Sequence, residues 1–495
     1  MSHFLALDQS TSATKALVCD QEGRPVAQAG REHASSFPQP GWVEQDAEEI
    51  WRNTLEVLRT AAGRAGVPDG EIACLSLANQ RETIVVFERG TGRPLHPAIV
   101  WQCRRGAELC SAQDKAGREP AIRARTGLRL DPYFSASKIQ WLVQRDPELR
   151  RRLEGGGALL GTIDAYLIYR LTRQSVFATD HTNASRTLLY DIRRLRWDEE
   201  LCAWWDVPPA ALPEIRESSD EFGATDLDGA LSRPIPIRGV MGDSQAALFA
   251  LAGYAPGFAK VTLGTGSSLL VGIGSRFQAS EHGVLTALAG VYRGRPSYAF
   301  EGLIISAASA LAWLRNNLGL IADYGESEAI ASGLADTGGV YLVPAFSGLG
   351  FPHWAPGARA AITGLSSHSD RRHLIRAALE SIAYQVRDAL DAIRSEAGIE
   401  LRSLQVDGGP TANKFLMQFL ADLTGIELRA ASAPDRAARG AMRAGRLGLG
   451  LAAEGGISDP APAGDQIYRP SMPAGQVEVL RQGWSRAVRQ TLSQL

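Results

Sequence analysis

A strand-turn-strand pattern occurs twice in this chain of 495 residues, once at its start and once near its middle. Residues 4–19 hold two short apolar runs around a polar turn at 8–15, and similar runs surround a second polar turn at 264–268. Short apolar runs that are bounded by turn residues are typical of paired strands. The repeat therefore predicts two similar halves, which we place at residues 1–252 and 253–495.

Helix signals follow the strands in both halves. Asp46 is suited to the N-cap of a helix, because the apolar residues after it recur at helical spacing. In the second half, residues 374–393 have helical periodicity, and a strand-like run at 404–407 leads into two glycines and a further helix. This alternation predicts an α/β fold in which helices pack against mixed sheets.

Composition favours small molecules as partners, rather than nucleic acid or a membrane. The 52 Lys and Arg residues nearly balance the 54 Asp and Glu residues, so no strong positive field is present. The longest apolar stretch, 302–314, is shorter than the roughly 20 residues of a membrane span, and residues 1–7 lack the features of a secretory signal. The five cysteines form no C-x-x-C pair, so neither zinc nor disulfides are expected. We expect a cytoplasmic protein.

Three polar turns have the composition of a phosphate site. The turn at 8–15 offers hydroxyls, backbone N–H groups and the Asp8 carboxylate, which suit phosphate oxygens and a magnesium ion. The turn at 264–266 stands at the matching place in the second half, and 407–409 follows a strand. Each turn alone is weak evidence, because glycine-rich turns are frequent for backbone reasons. Together they indicate a nucleotide site, although no Lys follows a Gly as in a Walker-type loop.

Asp243 is the residue best placed in the sequence to act as a base. A carboxylate in a Gly-Asp-Ser turn can accept a hydroxyl proton during phosphoryl transfer, and it could also cap the helix that follows. The same turn superficially resembles the nucleophile turn of a serine hydrolase. That interpretation needs a partner histidine, and the last histidine in the chain is His373.

Further short stretches are distributed over nearly the whole chain: 8–11, 40–44, 79–83, 99–105, 131–135, 182–187, 242–243, 264–266, 344–350 and 407–409. Together they resemble the FGGY family of carbohydrate kinases, and most closely its glycerol kinase branch. The resemblance implies two actin-like (ribonuclease H-like) domains, each a mixed five-stranded sheet flanked by helices, with the active site in the cleft between them. It also implies that residues 1–252 bind the polyol and carry the first phosphate loop, while 253–495 bind the nucleotide.

The resemblance implies a role for each matching position. Asp243 matches the catalytic base, and the substrate positions match Arg81, Glu82, Trp101, Tyr133, Asp243, Ser244 and Ser268. The nucleotide positions match Thr11, Ser12, Ala13, Lys15, Thr265, Gly266, Ala308, Ala312, Gly409 and Asn413. Asp8 and Asp243 match the residues that face Mg²⁺ through water, so the cofactor expected from the resemblance is MgATP.

The activity implied is ATP-dependent phosphorylation of a terminal hydroxyl of a small polyol, with glycerol as the first choice. Ser244 and Ser268 stand where glycerol kinases usually carry Gln and Phe, which keeps a longer polyol or a sugar open as the substrate. Ala308 and Ala312 likewise replace a Gly and a Gln. A non-catalytic, nucleotide-gated protein of the actin or chaperone kind is the remote alternative. A homodimer or a homotetramer is an open expectation.

Overall fold

The computed structural model describes residues 2–252, 254–280, 283–355, 357–431, 435–452 and 465–493. The strands of these residues are β1 (His3–Gln9), β2 (Ala13–Cys19), β3 (Pro25–Glu32), β4 (Glu44–Gln45), β5 (Ile72–Asn79), β6 (Ile84–Glu88), β7 (Ala98–Ile99), β8 (Ala158–Thr162), β9 (Ala178–Asp180), β10 (Tyr190–Asp191), β11 (Arg196–Trp197), β12 (Glu214–Arg216), β13 (Glu221–Thr225), β14 (Ile235–Gly242), β15 (Phe258–Leu263), β16 (Ser267–Gly274), β17 (Leu285–Tyr292), β18 (Arg295–Ile304), β19 (Tyr341–Val343), β20 (Ala361–Thr363), β21 (Ser403–Asp407), β22 (Leu428–Ala430) and β23 (Gln466–Tyr468).

The helices are α1 (Ala47–Ala65), α2 (Ala107–Lys115), α3 (Glu119–Thr126), α4 (Ser135–Arg145), α5 (Pro147–Glu154), α6 (Ile163–Leu171), α7 (His181–Ala184), α8 (Glu199–Trp204), α9 (Asp243–Ala252), α10 (Ser309–Asn316), α11 (Glu326–Ser332), α12 (Arg371–Ala397), α13 (Lys414–Thr424), α14 (Arg436–Gly448) and α15 (Ala474–Leu492). Asp46 caps α1 as predicted, because its side chain accepts a hydrogen bond from the backbone N–H of Glu48. The predicted helix at 374–393 lies within α12. Within the described part of the chain, no helix is both long and apolar enough to cross a membrane.

The first sheet has six strands in the order β13-β14-β5-β1-β2-β3. The predicted pair β1 and β2 is antiparallel, whereas β5 runs parallel to both β1 and β14. Along β1, Leu5 and Leu7 pack on the face that α1 covers, and Phe4 and Ala6 pack on the opposite face. Both faces are therefore buried, as in a sheet that lies between helices.

The second sheet repeats this arrangement with seven strands in the order β17-β18-β16-β15-β21-β22-β23. Again the first two strands, β15 and β16, are antiparallel, and β21 runs parallel to β15. The predicted similarity of the two halves is confirmed. Each sheet has more strands than the five expected, because β13, β17 and β23 are added at the edges. Two of these edge strands are short and partly exposed, so their apolar pattern is weak.

Helices α9 and α14 lie between the two sheets. Helix α9 continues from β14 of the first sheet, and its Leu248 packs against Leu270 and Ala299 of the second sheet. Helix α14 comes from the second half, yet its Ala438 and Met442 pack against the face of the first sheet that α1 leaves free. The two helices thus connect the halves reciprocally.

A glycine permits close contact where α14 crosses α9. A Cβ atom on Gly440 would lie 1.8 Å from the carbonyl oxygen of Ala246, well inside any allowed contact. Helix α14 therefore belongs to the second half by sequence and to the first sheet by packing. The division at 252 and 253 stays a prediction, and Gly253 lies outside the described residues.

Candidate active site

The three polar turns lie together at the ends of the central strands. Gly408 has a φ of 100°, and a Cβ atom there would lie 1.9 Å from the carbonyl oxygen of Leu263, so the third turn packs on the second. Asp8, at the start of the first turn, is close enough to Asp407 of the third turn for the two carboxylates to repel each other. The second and third turns are therefore in contact, and the first lies near the third.

The first turn is fixed by its neighbours while its hydroxyl and amine groups stay accessible. Thr11 accepts a hydrogen bond from the indole N–H of Trp101 at 2.9 Å, and its carbonyl accepts one from the Gln45 amide at 2.5 Å. Ser12 and Lys15 are exposed, and Ala13 is half-buried at the start of β2. Hydrogen bonds from Trp101 and Gln45 therefore fix the turn, while the side chains of Ser12 and Lys15 remain exposed.

The second turn packs on the segment that begins α10. The backbone N–H groups of Ala307 and Ala308 donate to the carbonyls of Thr265 and Gly264, at 2.8 and 3.0 Å. Ala308 has ordinary helical backbone angles, so this position does not need the glycine usual in the family. Gly266 is required by packing, because a Cβ atom there would lie 2.6 Å from the Ile304 carbonyl oxygen. Thr265 is exposed, and Ala312 is half-buried on α10.

Gly409 and Asn413 flank the third turn. Gly409 is exposed, and a Cβ atom on it would meet nothing within 4 Å, so the turn is open on this side. Asn413 is the N-cap of α13: its Oδ1 accepts from the backbone N–H of Leu416, and its amide donates weakly to Ser327. The side chain of Asn413 therefore already has a structural use.

Carboxylates surround the first turn. Burial and the neighbouring Asp243 raise the pKa of Asp8 to about 7, and Lys15 opposes this shift. Such repulsion between carboxylates is relieved by a divalent cation, so the residues present fit Mg²⁺. Among the residues that the structure describes, no three His, Cys, Asp or Glu side chains are grouped closely enough to hold a metal directly.

Two arginines and two glutamates form a closed ionic ring at the cleft. Arg81 Nη2 lies 3.0 Å from Glu301 Oε1, and Arg81 Nε lies 3.8 Å from Glu82 Oε1. Arg186 completes the ring at 2.7 Å from Glu82 and 2.5 Å from Glu301. All four side chains are at most 4% exposed. Glu82 adopts a φ of 60°, a backbone conformation that such a residue rarely takes.

Asp243 lies beside this ring. It is the first residue of α9, its side chain is 35% exposed, and its Oδ1 lies 3.4 Å from Arg81 Nε. Gly242 permits this approach, because a Cβ atom there would lie 2.9 Å from the Arg81 side chain. Ser244 is buried next to it. The carboxylate is thus near a guanidinium and still open to the cleft.

Two aromatic rings form the wall of the site. The ring centroids of Trp101 and Tyr133 are 5.2 Å apart. The segment that carries Tyr133 is held by the buried Lys138, whose ammonium donates to the backbone carbonyls of Pro132, Tyr133 and Phe134. Burial lowers the pKa of Lys138 to about 8.

Ser268 has a hydrogen-bond partner in the second half of the chain. Its hydroxyl donates to Glu301 Oε1 at 3.3 Å. Among the other predicted substrate residues, Arg81 lies beside Glu82 and Asp243, and Trp101 lies beside Tyr133.

Sequence reasoning missed Glu301 and Arg186 as parts of this site. Arg186 lies in one of the stretches that carry the family resemblance, but no role was assigned to it. Glu301 interrupts the apolar strand β18, and a charge in such a run must be paired when it is buried. The charged residue within this apolar strand was therefore the sequence signal that could have identified Glu301 as part of the site.

Comparison with known proteins agrees with this geometry. The model of the FGGY family of carbohydrate kinases, N-terminal domain, matches residues 3–250, and the model of its C-terminal domain matches residues 259–448. The chain belongs to the FGGY family of carbohydrate kinases. It is 45% identical to the glycerol kinase of Rhodospirillum rubrum, with 100% of each chain covered, and 44% identical to that of Shewanella sp. strain MR-4, with 99% of each covered.

A solved structure gives the same relationship. The crystal structure of Plasmodium falciparum glycerol kinase with ADP is 35% identical to this chain and has a TM-score of 0.92, covering 99% of this chain and 98% of its own. This FGGY kinase is thus a glycerol kinase-like phosphotransferase with the predicted two-part α/β fold, and ATP is the phosphoryl donor that its family implies.

Proposed function

We propose that this chain phosphorylates a terminal hydroxyl of glycerol with ATP and releases glycerol 3-phosphate and ADP. The proposal is supported chiefly by two contacts: Arg81 lies between Glu82 and Asp243, and Trp101 packs near Tyr133 while its indole N–H donates to Thr11 of the first polar turn. Relatives that are named glycerol kinases and match along the full length support the choice of acceptor.

The polar side chains would orient the acceptor. Arg81 donates hydrogen bonds, and Glu82 has a carboxylate oxygen that can accept from a second hydroxyl. The rings of Trp101 and Tyr133 provide an apolar wall for the carbon chain. One hydroxyl is then directed at Asp243, which accepts its proton as the oxygen attacks phosphorus.

The turns would hold the phosphates. We propose that Thr11, Ser12, Ala13 and Lys15 of the first turn and Thr265 and Gly266 of the second bind the phosphates. The adenosine would then bind at Gly409, where a Cβ atom would meet nothing within 4 Å, together with Ala308, Ala312 and Asn413. MgATP supplies the phosphoryl group, and the metal neutralises charge on the phosphates. Asp8 and Asp243 are the residues we propose to face Mg²⁺ through water.

The contact of Ser268 supports glycerol over a longer acceptor. The hydroxyl proton of Ser268 is donated to Glu301, so it is not offered to the extra hydroxyl of a longer acceptor. The remaining lone pairs can only accept. Cytoplasmic location, a homodimer or homotetramer, and the domain division at 252 and 253 stay predictions.

The test is ADP release coupled to a reporter enzyme, with glycerol, erythritol, pentitols and ketopentoses as acceptors. We expect the highest kcat/KM with glycerol, and phosphorus NMR should identify glycerol 3-phosphate as the product. An acceptor with four or five carbons that is used about tenfold better than glycerol would show that Ser244 and Ser268 enlarge the site. Absence of ADP release with every acceptor would refute the kinase proposal.

A further inference from the structure

We infer that Glu301, supplied by the second half of the chain, is a positioning residue for the polyol site that fixes the orientation of the Arg81 guanidinium. This inference rests on the proposed function, because it assigns Arg81 to the acceptor and Asp243 to proton transfer. In this inference Glu301 contacts neither the acceptor nor Asp243 directly; it acts through Arg81.

The ring joins two parts of the molecule that are far apart in sequence. Arg81 follows β5 and Arg186 follows α7, both in the first half, whereas Glu301 lies in β18 of the second sheet. Glu301 is completely buried between the two guanidinium groups. The acceptor site is therefore complete only when the two halves are in contact.

The charges explain why Arg81 depends on Glu301. Arg81 has three carboxylates near its guanidinium: Glu301 at 3.0 Å, Asp243 at 3.4 Å and Glu82 at 3.8 Å. Removing one partner of a buried ion pair leaves the other charge without full compensation. Without Glu301, the nearest carboxylate is Asp243, which Arg81 already contacts at 3.4 Å, so the guanidinium shifts toward Asp243 and away from its place at the acceptor.

Ser268 fixes the orientation of the Glu301 carboxylate. Leu270 of β16 lies opposite Glu301 of β18, so Ser268 is the diagonal neighbour on the same face. Its hydroxyl donates to Oε1, the oxygen that Arg81 also contacts. The pKa of Glu301 stays below its usual value, because Arg186 and Arg81 outweigh the effect of burial. The group is thus an ionised anchor.

The chain offers a matched control for the loss of a buried carboxylate. Glu380 in α12 is 2% exposed and pairs with Arg376 at 2.7 Å within one helix. It is not part of the ring or of the three turns. Glu380→Gln therefore tests the general cost of removing such a pair, and Glu301→Gln adds the loss of the anchor for Arg81.

Steady-state kinetics with glycerol and ATP varied separately should distinguish these effects. For Glu301→Gln we expect KM for glycerol to rise by at least about tenfold, since a charged hydrogen bond in the site is lost, while KM for ATP changes by less than about twofold. Glu301→Asp should recover part of the loss, and Glu380→Gln should lower Tm without changing either KM.

Equal changes in both KM values, or an unchanged KM for glycerol, would overturn the inference. Should Glu301→Gln fail to fold, Ser268→Ala removes only the orienting hydrogen bond, and the inference then requires a rise of about threefold in KM for glycerol alone. Crystal structures of wild type and variant make the test independent of turnover. An Arg81 that has not moved toward Asp243 in Glu301→Gln contradicts the inference even if no acceptor is phosphorylated.

Discussion

Asp243 is the first residue of α9, and its Oδ1 accepts a hydrogen bond from the backbone N–H of Ser244. The carboxylate also lies beside Arg81 and is 35% exposed. We expect Asp243→Asn to lower kcat by about 10² or more, because the amide keeps the shape but cannot accept a proton. Binding of glycerol and ATP, measured by calorimetry, should stay nearly unchanged. A kcat within about threefold of wild type would contradict the role as base.

A second residue, Asp164, should affect stability in a pH-dependent way. Burial, and then repulsion from Asp180, raise the pKa of Asp164 to about 6, while the hydroxyls of Thr162 and Thr179 donate to it at 2.6 Å. The folded state therefore holds a proton that the unfolded state releases near pH 4. The contribution of the protonated Asp164 side chain to the free energy of unfolding is largest below pH 4 and is lost as the pH rises through about 6.

Asp164→Asn should remove this loss, because the amide has no charge to bury. The difference in Tm between the variant and wild type should be larger in favour of the variant at pH 7.5 than at pH 4.5. We expect this change to be about 2 to 5 °C, a shift typical of a few kcal/mol. Differential scanning fluorimetry at both pH values measures it. The exposed Asp114→Asn serves as the control and should show no such pH dependence. A constant difference between variant and wild type would exclude a buried proton.

At the level of single residues, the sequence predicted the groups that face the cleft better than the groups behind them. Arg81, Glu82, Trp101 and Tyr133 stand in short stretches with a family resemblance, and in the structure Arg81 lies beside Glu82 and Trp101 beside Tyr133. Glu301 was not found, because its partners Arg81 and Arg186 are distant in sequence. Only the folded chain shows that these charges neutralise one another.

At the scale of helices and strands, the crossing of α14 over α9 leaves no space for a side chain at position 440. A methyl group at position 440 would collide with the carbonyl oxygen of Ala246, so Gly440→Ala must separate the two helices. We expect a loss of about 1 to 3 kcal/mol of stability, the usual range for overpacking. Because α9 carries Asp243, kcat should fall as well. Urea unfolding and turnover measure the two effects.

Gly63 in α1 supplies the control for this substitution. A Cβ atom on Gly63 would meet nothing within 4 Å, so Gly63→Ala should stabilise the protein slightly through its helix propensity. Equal effects of the two substitutions would mean that the crossing tolerates a wider separation than the structure indicates.

Elements with a strong local pattern were predictable, and elements defined by remote packing were not. The cap at Asp46 and the long α12 followed from spacing alone. The position of α14 did not, because its sequence fixes an apolar face but not the sheet that covers it. The edge strands β13 and β23 were missed for a similar reason: pairing with a neighbour, rather than alternation, defines them.

For the whole molecule, the exchange of helices predicts cooperative unfolding. Helix α9 buries apolar residues against the second sheet and α14 against the first, so neither sheet keeps its packing when the other unfolds. We expect scanning calorimetry to show one transition with a calorimetric enthalpy close to the van't Hoff enthalpy. Two resolved transitions would mean that the halves are independent in stability.

The position of α14 also has a consequence for the nascent chain. The ribosome synthesises all strands of the first sheet before residue 243, whereas the helix that covers one face of this sheet ends at residue 448. Until α14 emerges, the side chains of Phe4, Ala6 and Leu17 have no covering layer. Domains usually fold in order during translation. Here one face of the first sheet stays uncovered until α14 has been translated. In that interval the exposed apolar face is accessible to chaperones.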